Sequence, residues 1–239
     1  MKNILLILNI IIFSTLILKG KPGNNIAHTE QYLQGNITGQ DTVFLNQLYY
    51  NGKVWVGLYY NVYGTEFIIQ DTWYKADVIV NGINFEDVSV KYDVYNDEIL
   101  TNYYNKKIIT LNNENIDGFT LYIDDEKLKF RNFRDSGKMK GHYQVIHEGQ
   151  SKLYKKWRKK RAQFVIEARY DEFQPDDSIL IVINDKLYEV KNRRRLLKIM
   201  SDKKSEIKSF IMKEKIKPDF SQPSSLVPIL KYYDTLQLE

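Results

Sequence analysis

The sequence predicts a mainly β protein: an antiparallel meander, folded as a sandwich, roll or partly open barrel, with a C-terminal helical tail. Three observations carry this. Runs alternating apolar and polar residues recur through the middle of the chain, and a period of two is the signature of a half-buried strand. Turn-forming pairs, Asn51-Gly52, Asn81-Gly82, Asn96-Asp97 and Asn184-Asp185, separate those runs. After Val190 the apolar period changes to about 3.6, which is helical. The 18 tyrosines agree with the first observation, because many sit inside the alternating runs and aromatics suit a pleated surface.

The chain begins with a segment that reads as a signal peptide, residues 1–21. Lys2 gives a positive start, and Ile4 to Leu18 is an apolar run of 15 residues. That run is short of the roughly 20 residues of a membrane-spanning helix and fits an export signal. Cleavage after Lys21 would remove Lys2, Lys19 and Lys21 and lower the formal charge from +5 to +2. A leader retained as an anchor is the alternative, since no good small residue marks the cleavage site. Residues 22–41 read as a polar, flexible lead-in containing His28 and the Asn36-Ile37-Thr38 sequon.

Residues 42–190 form the expected antiparallel β domain. Its first hairpin is placed over Thr42–Tyr60, turning at Asn51-Gly52. Tyr63-Gly64-Thr65 is a break, and Phe67–Ile69 a short strand. Trp73–Leu100 is the centre of the domain and can be read to register. A two-residue turn at Asn81-Gly82 sets Val80 opposite Ile83 and Val78 opposite Phe85. Val88, Val90 and Tyr92 then alternate in the other phase from Ile83 and Phe85. A period of two changes phase only if one residue is added. The sequence therefore predicts a β-bulge at Glu86-Asp87, with Ala76 opposite Val88 and Tyr74 opposite Val90. Asn96-Asp97 reads as a second two-residue turn of the same kind.

Further strands are expected at Lys106–Leu111, Phe119–Ile123, Lys127–Phe133 and Gly141–His147, with Lys152–Trp157 pairing back on the last. Ser178–Val190 is a hairpin about Asn184-Asp185. Residues 191–239 are the helical tail, expected to pack on the β domain. Leu196, Leu197 and Met200 make one apolar stripe, and Ile207, Phe210 and Ile211 a second. Ser201 or Asp202 is the expected cap of the second helix, and Pro218 its stop. A third helix is expected from Ser224 or Ser225, with Pro228 in its first turn and Leu226, Val227, Leu230 and Tyr233 as its packing face.

The order of these features resembles that of uncharacterised secreted β-rich proteins of the Bacteroidota. The similar pieces are NGKVWVGLYY, GTEF, DTWYKADVIVNGINFEDVSVKYDVYNDEIL, GHYQVIHEG and LLKIMSDKKSEIKSFIMKEKIK. The resemblance implies export and a β-rich fold. It implies no activity and no functional residues.

Motif chemistry is sparse. There is no cysteine, so thiolate nucleophiles, thiolate metal sites and disulfides are excluded. The sequence lacks H-E-x-x-H, G-x-S-x-G and both glycine-rich phosphate cradles. No catalytic, cofactor-binding or metal residues are assigned. His142 and His147 are i, i+5 on one strand and point to opposite faces, which suits hydrogen-bonded surface histidines. Asp87, Asp93 and Asp97 are close in sequence, and paired carboxylates can cleave glycosides. They also fit a bulge, a polar strand face and a turn, the simpler reading. Asp124-Asp125-Glu126 and Asp176-Asp177 lack calcium-loop spacing and read as turns.

One cluster stands out. Seven of the ten residues of KLYKKWRKKR, Lys152–Arg161, are basic. Lys155, Lys156, Trp157, Arg158, Lys159, Lys160 and Arg161 are the candidate anion-binding surface. For an exported protein the partners are anionic lipid or acidic glycan, and nucleic acid is not expected. Cations at a strand end also discourage edge-to-edge pairing. The chain is thus expected to be an exported, periplasmic or envelope protein with a non-catalytic binding or structural role. The alternatives are a glycan-acting hydrolase using a carboxylate pair and an anchored envelope protein with its leader retained.

Overall fold

A computed structural model describes residues 39–104, 107–163 and 171–238. The leader, the sequon at Asn36, His28 and most of the lead-in lie outside the described residues. The protein is mainly β. Its strands are β1 (Gly52–Val54), β2 (Val62–Tyr63), β3 (Tyr74–Val80), β4 (Ile83–Asp93), β5 (Glu98–Tyr103), β6 (Lys107–Leu111), β7 (Ile116–Ile123), β8 (Glu126–Ser136), β9 (Met139–Glu148), β10 (Lys152–Lys156), β11 (Lys159–Gln163), β12 (Asp171–Pro175), β13 (Ser178–Ile183) and β14 (Lys186–Glu189). The described α-helices are α1 (Gly39–Tyr49), α2 (Arg193–Ile199), α3 (Lys204–Lys213) and α4 (Val227–Leu236), with short 3-10 helices at Ser201–Lys203 and Pro223–Leu226. None of them is long and apolar enough to cross a membrane.

Eleven strands form one open antiparallel sheet in the order β1-β6-β5-β4-β3-β7-β8-β9-β10-β13-β14. A second sheet has the order β11-β12-β2, in which β12 and β2 run parallel. Nothing in the local patterns pointed to that parallel pair.

The β3–β4 hairpin has the register read from sequence. Val80 faces Ile83, Val78 faces Phe85, Ala76 faces Val88 and Tyr74 faces Val90, with the shift between Ala76 and Val78. Asn81 and Gly82 both have positive φ, 48° and 79°, as a type I′ turn requires. Asp87 carries the bulge at φ 52°, and its N–H donates to the Asp77 carboxylate at 3.1 Å. The hairpins about Asp124-Asp125 and Asn184-Asp185 also form, pairing Ile123 with Glu126 and Ile183 with Lys186.

Several local expectations are corrected. The Thr42–Tyr60 hairpin does not form, and α1 occupies its first half and the end of the lead-in. Leu45, Leu48 and Tyr49 are spaced i, i+3, i+4, and the tyrosine-rich strand pattern masked that helical stripe. Gly52 is not at a turn. An added Cβ there would lie 2.0 Å from the Thr110 carbonyl oxygen, so the glycine lets β1 approach β6. Phe67 makes a single bridge to Asp93 rather than a strand. The β4–β5 connection is four residues, Val94–Asp97, because Asp93 pairs with Glu98. Only Asp97 in it has positive φ, 60°. Asp93 organises this loop by accepting the N–H groups of Tyr95 and Asn96, each at 2.9 Å. Neither Ser201 nor Asp202 caps α3; the Asp202 carboxylate instead accepts from Tyr233 Oη and Gln237 Nε2. α3 ends at Lys213, before Pro218, and α4 starts at Val227 with Pro228 in its first turn.

Burial is divided between the two ends of the large sheet. Val78, Val90, Tyr92, Phe119, Leu121 and Phe130 fill the core over β3–β8, joined by Tyr49 of α1. Leu153 of β10 and Ile179, Ile181 and Ile183 of β13 pack against the C-terminal helices through Leu196, Met200, Ile207, Leu226, Ile229 and Leu230. The opposite face there is also covered, by Met139, Tyr143, Tyr154 and Leu180. Strands buried on both faces read as continuous apolar runs, which is the pattern of SILIVI.

Candidate functional site

Among the described residues, ionisable groups from distant parts of the chain meet in a clasp around Asp97. The β4–β5 loop reaches across one face of the sheet to β9 and β10, strands several places away in the sheet order. The Asp97 carboxylate accepts from Tyr92 Oη at 2.6 Å, from Lys156 Nζ at 2.7 Å and from the His142 backbone N–H at 3.1 Å. His142 Nδ1 lies 3.2 Å from its Oδ1. Lys156 Nζ also donates to the His142 carbonyl at 2.9 Å. Gly141, at φ 86°, makes room for the loop: an added Cβ would lie 1.8 Å from Asp97 Oδ2. Only glycine adopts that φ without strain.

The electrostatics follow from burial and partners. Burial pushes the Asp97 carboxyl upward, but the attraction and hydrogen bonds of His142 and Lys156 outweigh it and hold the group well below the usual carboxylate range. Burial lowers Lys156, and Asp97 opposes that shift. Burial and the neighbouring Asp97 raise Tyr92. Asp93, fully buried four residues away, is pushed up to about 6 by desolvation despite its hydrogen bonds from Asn96. One raised and one depressed carboxyl is the electrostatic pattern of an acid–base pair. Here both are occupied by donors from the protein, and Asp93 is sealed from solvent.

His142 is therefore not a surface histidine. It is fully buried, edge-on to Tyr92 and Phe119, and its Nε2 has no hydrogen-bond partner. His147 is partly buried, with Nε2 4.0 Å from Asp234 Oδ2. Asp234 of α4 accepts the Ser151 N–H through both oxygens, at 3.0 and 3.1 Å. Serine, histidine and aspartate thus meet at the β9–β10 turn. The Ser151 hydroxyl is enclosed, at 1% residue exposure, and Asp234 is spent on its backbone, so the group ties α4 to the sheet.

The candidate anion-binding residues are not a free cationic surface. Lys155 bonds Asp177 at 2.9 Å and lies 3.3 Å from the Trp157 ring centroid. Lys156 belongs to the clasp. Trp157 Nε1 donates to Gln144 at 2.7 Å. The Arg158 N–H donates to Asp177 at 2.9 Å, and its guanidinium lies beside Asp176. Lys159 Nζ donates to the carbonyls of Thr65 and Phe67, and burial lowers its pKa. Lys160 is 4.0 Å from Asp176, and Arg161 pairs with Asp171. The repulsion expected of this run is relieved inside the chain, largely by the turn acids Asp176 and Asp177. Two polar clefts of about 680 Å³ and about 600 Å³ flank this region, and Lys155 and Ser221 line both.

Sequence reasoning missed the clasp because its members are far apart in the chain: Asp97 and Lys156 are separated by 59 positions. The one signal present was Lys155-Lys156 on adjacent positions of a strand, which must point to opposite faces. That becomes informative only once both faces are known to be covered. No protein-family model matches the chain, and neither a curated protein nor a solved structure shows significant similarity to it.

Proposed function

We propose that the chain is an exported, non-catalytic binding or structural protein of the cell envelope. The observation that carries this reading is how far its clustered ionisable groups are engaged within the protein. His142, Lys156 and Asp93 are buried and Asp97 is partly buried, and apart from His142 Nε2 they spend their hydrogen bonds on one another, on the Tyr92 and Asn96 side chains and on nearby backbone. A catalytic group must reach substrate, whereas a clasp of this kind locks a loop onto a sheet. The apolar leader and the resemblance to secreted Bacteroidota proteins supply the location. The two polar clefts beside Lys155 supply concave surface for a polar ligand.

The test has two arms. Fractionation with mass spectrometry of the N-terminus should find the protein outside the cytoplasm, and a cytosolic chain retaining Met1 would end the export reading. Incubation with chromogenic glycosides and cell-wall glycan should show no turnover. Turnover abolished by Asp93→Asn or Asp97→Asn in a folded protein would replace this reading with the hydrolase.

A further inference from the structure

Residues 191–217 carry eleven lysines and arginines against three acids, a net +8 in a chain whose total is +5, so the rest of the chain is net acidic. These residues form the C-terminal helical layer over β10 and β13. Their apolar side chains, Leu196, Leu197, Met200, Ile207 and Ile211, are buried against the sheet and α4. The cations therefore project outward: Arg194, Lys198, Lys208 and Lys213 are all exposed. Among the described residues, Lys191 alone of the eleven makes an ion pair, with Glu189 at 3.3 Å. The contrast with Lys155–Arg161, where nearly every cation has an internal acceptor, is direct.

The placement works against folding. Arg194 and Lys198 are i, i+4 on α2, and Lys204 and Lys208 are i, i+4 on α3; like charges at that spacing destabilise a helix. The first turn of α2 holds three arginines and no acid, the reverse of what the helix dipole favours. An unpartnered, self-repelling layer of this density is relieved by an external anion. Phe210 stacks on Tyr232 with ring centroids 4.1 Å apart and leaves no free aromatic platform on α2 or α3, which disfavours single-stranded nucleic acid. The large exposed apolar side chain in the layer is Met212, one turn beyond Lys208 and 67% exposed. Cations spread over two helices around an apolar contact suit a planar anionic surface.

We propose that residues 191–217 form a membrane-docking face that binds anionic phospholipid electrostatically. It deepens the envelope reading and rests on that reading only for which membrane is met. Each lysine or arginine at an anionic surface strengthens binding about fivefold. The attraction fades as the Debye length falls from about 10 Å at 0.1 M salt to about 3 Å at 1 M.

The experiment is sedimentation of the full chain with phosphatidylcholine vesicles, with and without phosphatidylglycerol, at those two salt concentrations. Binding through the Ile4–Leu18 segment is common to both vesicle types and to all variants, so the readout is the excess of binding to anionic over neutral vesicles. That excess should be present at low salt and vanish at high salt. The quadruple variant Arg194→Glu, Lys198→Glu, Lys208→Glu, Lys213→Glu should lose at least about 100-fold, while Lys160→Gln with Arg161→Gln should bind within a few-fold of the original. A glutamine quadruple at the same positions, expected to lose at least about tenfold, covers the case in which charge reversal impairs folding. Equal binding to both vesicle types, indifference of a folded quadruple variant, or binding to an oligonucleotide or acidic polysaccharide but not to vesicles would overturn the proposal. Failure of export in the fractionation would leave it standing.

Discussion

Substitution of Asp97 by asparagine tests the clasp most directly. The change keeps the size of the side chain but removes the charge facing Lys156, which is 7% exposed and has as its other acceptor only the His142 carbonyl. An ammonium left in that position without its counter-charge costs about 3–5 kcal/mol. Lys156→Met removes the cation and leaves Asp97 with the donors of Tyr92 and His142 and with a quarter of its side chain in solvent, so its cost should be smaller, about 2 kcal/mol. If the two charges act on each other, the double variant should be more stable than the sum of the singles by about 2 kcal/mol. The pH dependence is fixed by sign. The folded pKa of Asp97 lies below its unfolded value of 3.8, so the stabilisation is complete above the unfolded pKa and is lost as pH falls through the folded one. The gap between wild type and Asp97→Asn should therefore be flat from pH 7 to about 5 and shrink below about 4. Urea denaturation across that range measures it. Additive single costs, or a gap that grows on acidification, would refute the clasp as an electrostatic unit.

Asp93 should show the opposite slope. Its folded pKa, about 6, lies above the unfolded 3.8, so the buried carboxylate costs stability as pH rises between those values, about 3 kcal/mol in all. Asp93→Asn should flatten that part of the stability profile and be at least as stable as wild type at pH 7.5; an unchanged profile in the variant would show that another group is responsible. Gly141→Ala should cost at least about 3 kcal/mol, since it combines a positive φ with a collision against Asp97, and a midpoint within error of wild type would contradict the close approach. Ile207→Ala, at a fully buried position between α3 and the sheet, should cost about 2–5 kcal/mol, and an unchanged melting temperature would argue that the tail is not docked.

The elements legible in the sequence were those whose cause is local. The bulge at Asp87 could be read because a period of two cannot change phase without an inserted residue, and both phases are visible within Ile83–Tyr92. The I′ turn at Asn81-Gly82 and the helical stripes at Leu196–Met200 and Ile207–Ile211 follow equally from neighbouring residues. The first hairpin failed because Asn51-Gly52 is a turn signal that the fold uses differently: Gly52 is small so that β1 can lie against Thr110, a requirement set from 58 residues away.

What only the tertiary structure decided is which charges meet. The run Lys155–Arg161 looked like free positive potential because its acceptors, Asp97, Asp171, Asp176, Asp177 and the carbonyls of Thr65 and Phe67, are brought to it by sheet order and turns rather than by proximity in the chain. The cations of residues 191–217 are too dispersed in the chain to read as a charge cluster, yet packing of their apolar stripes gathers them in one outward layer in which, among the described residues, Lys191 alone has an ion-pair partner. Composition and periodicity determine the local elements. Whether a charge is spent inside the molecule or offered to a partner depends on long-range contacts, which a pattern of near neighbours does not encode.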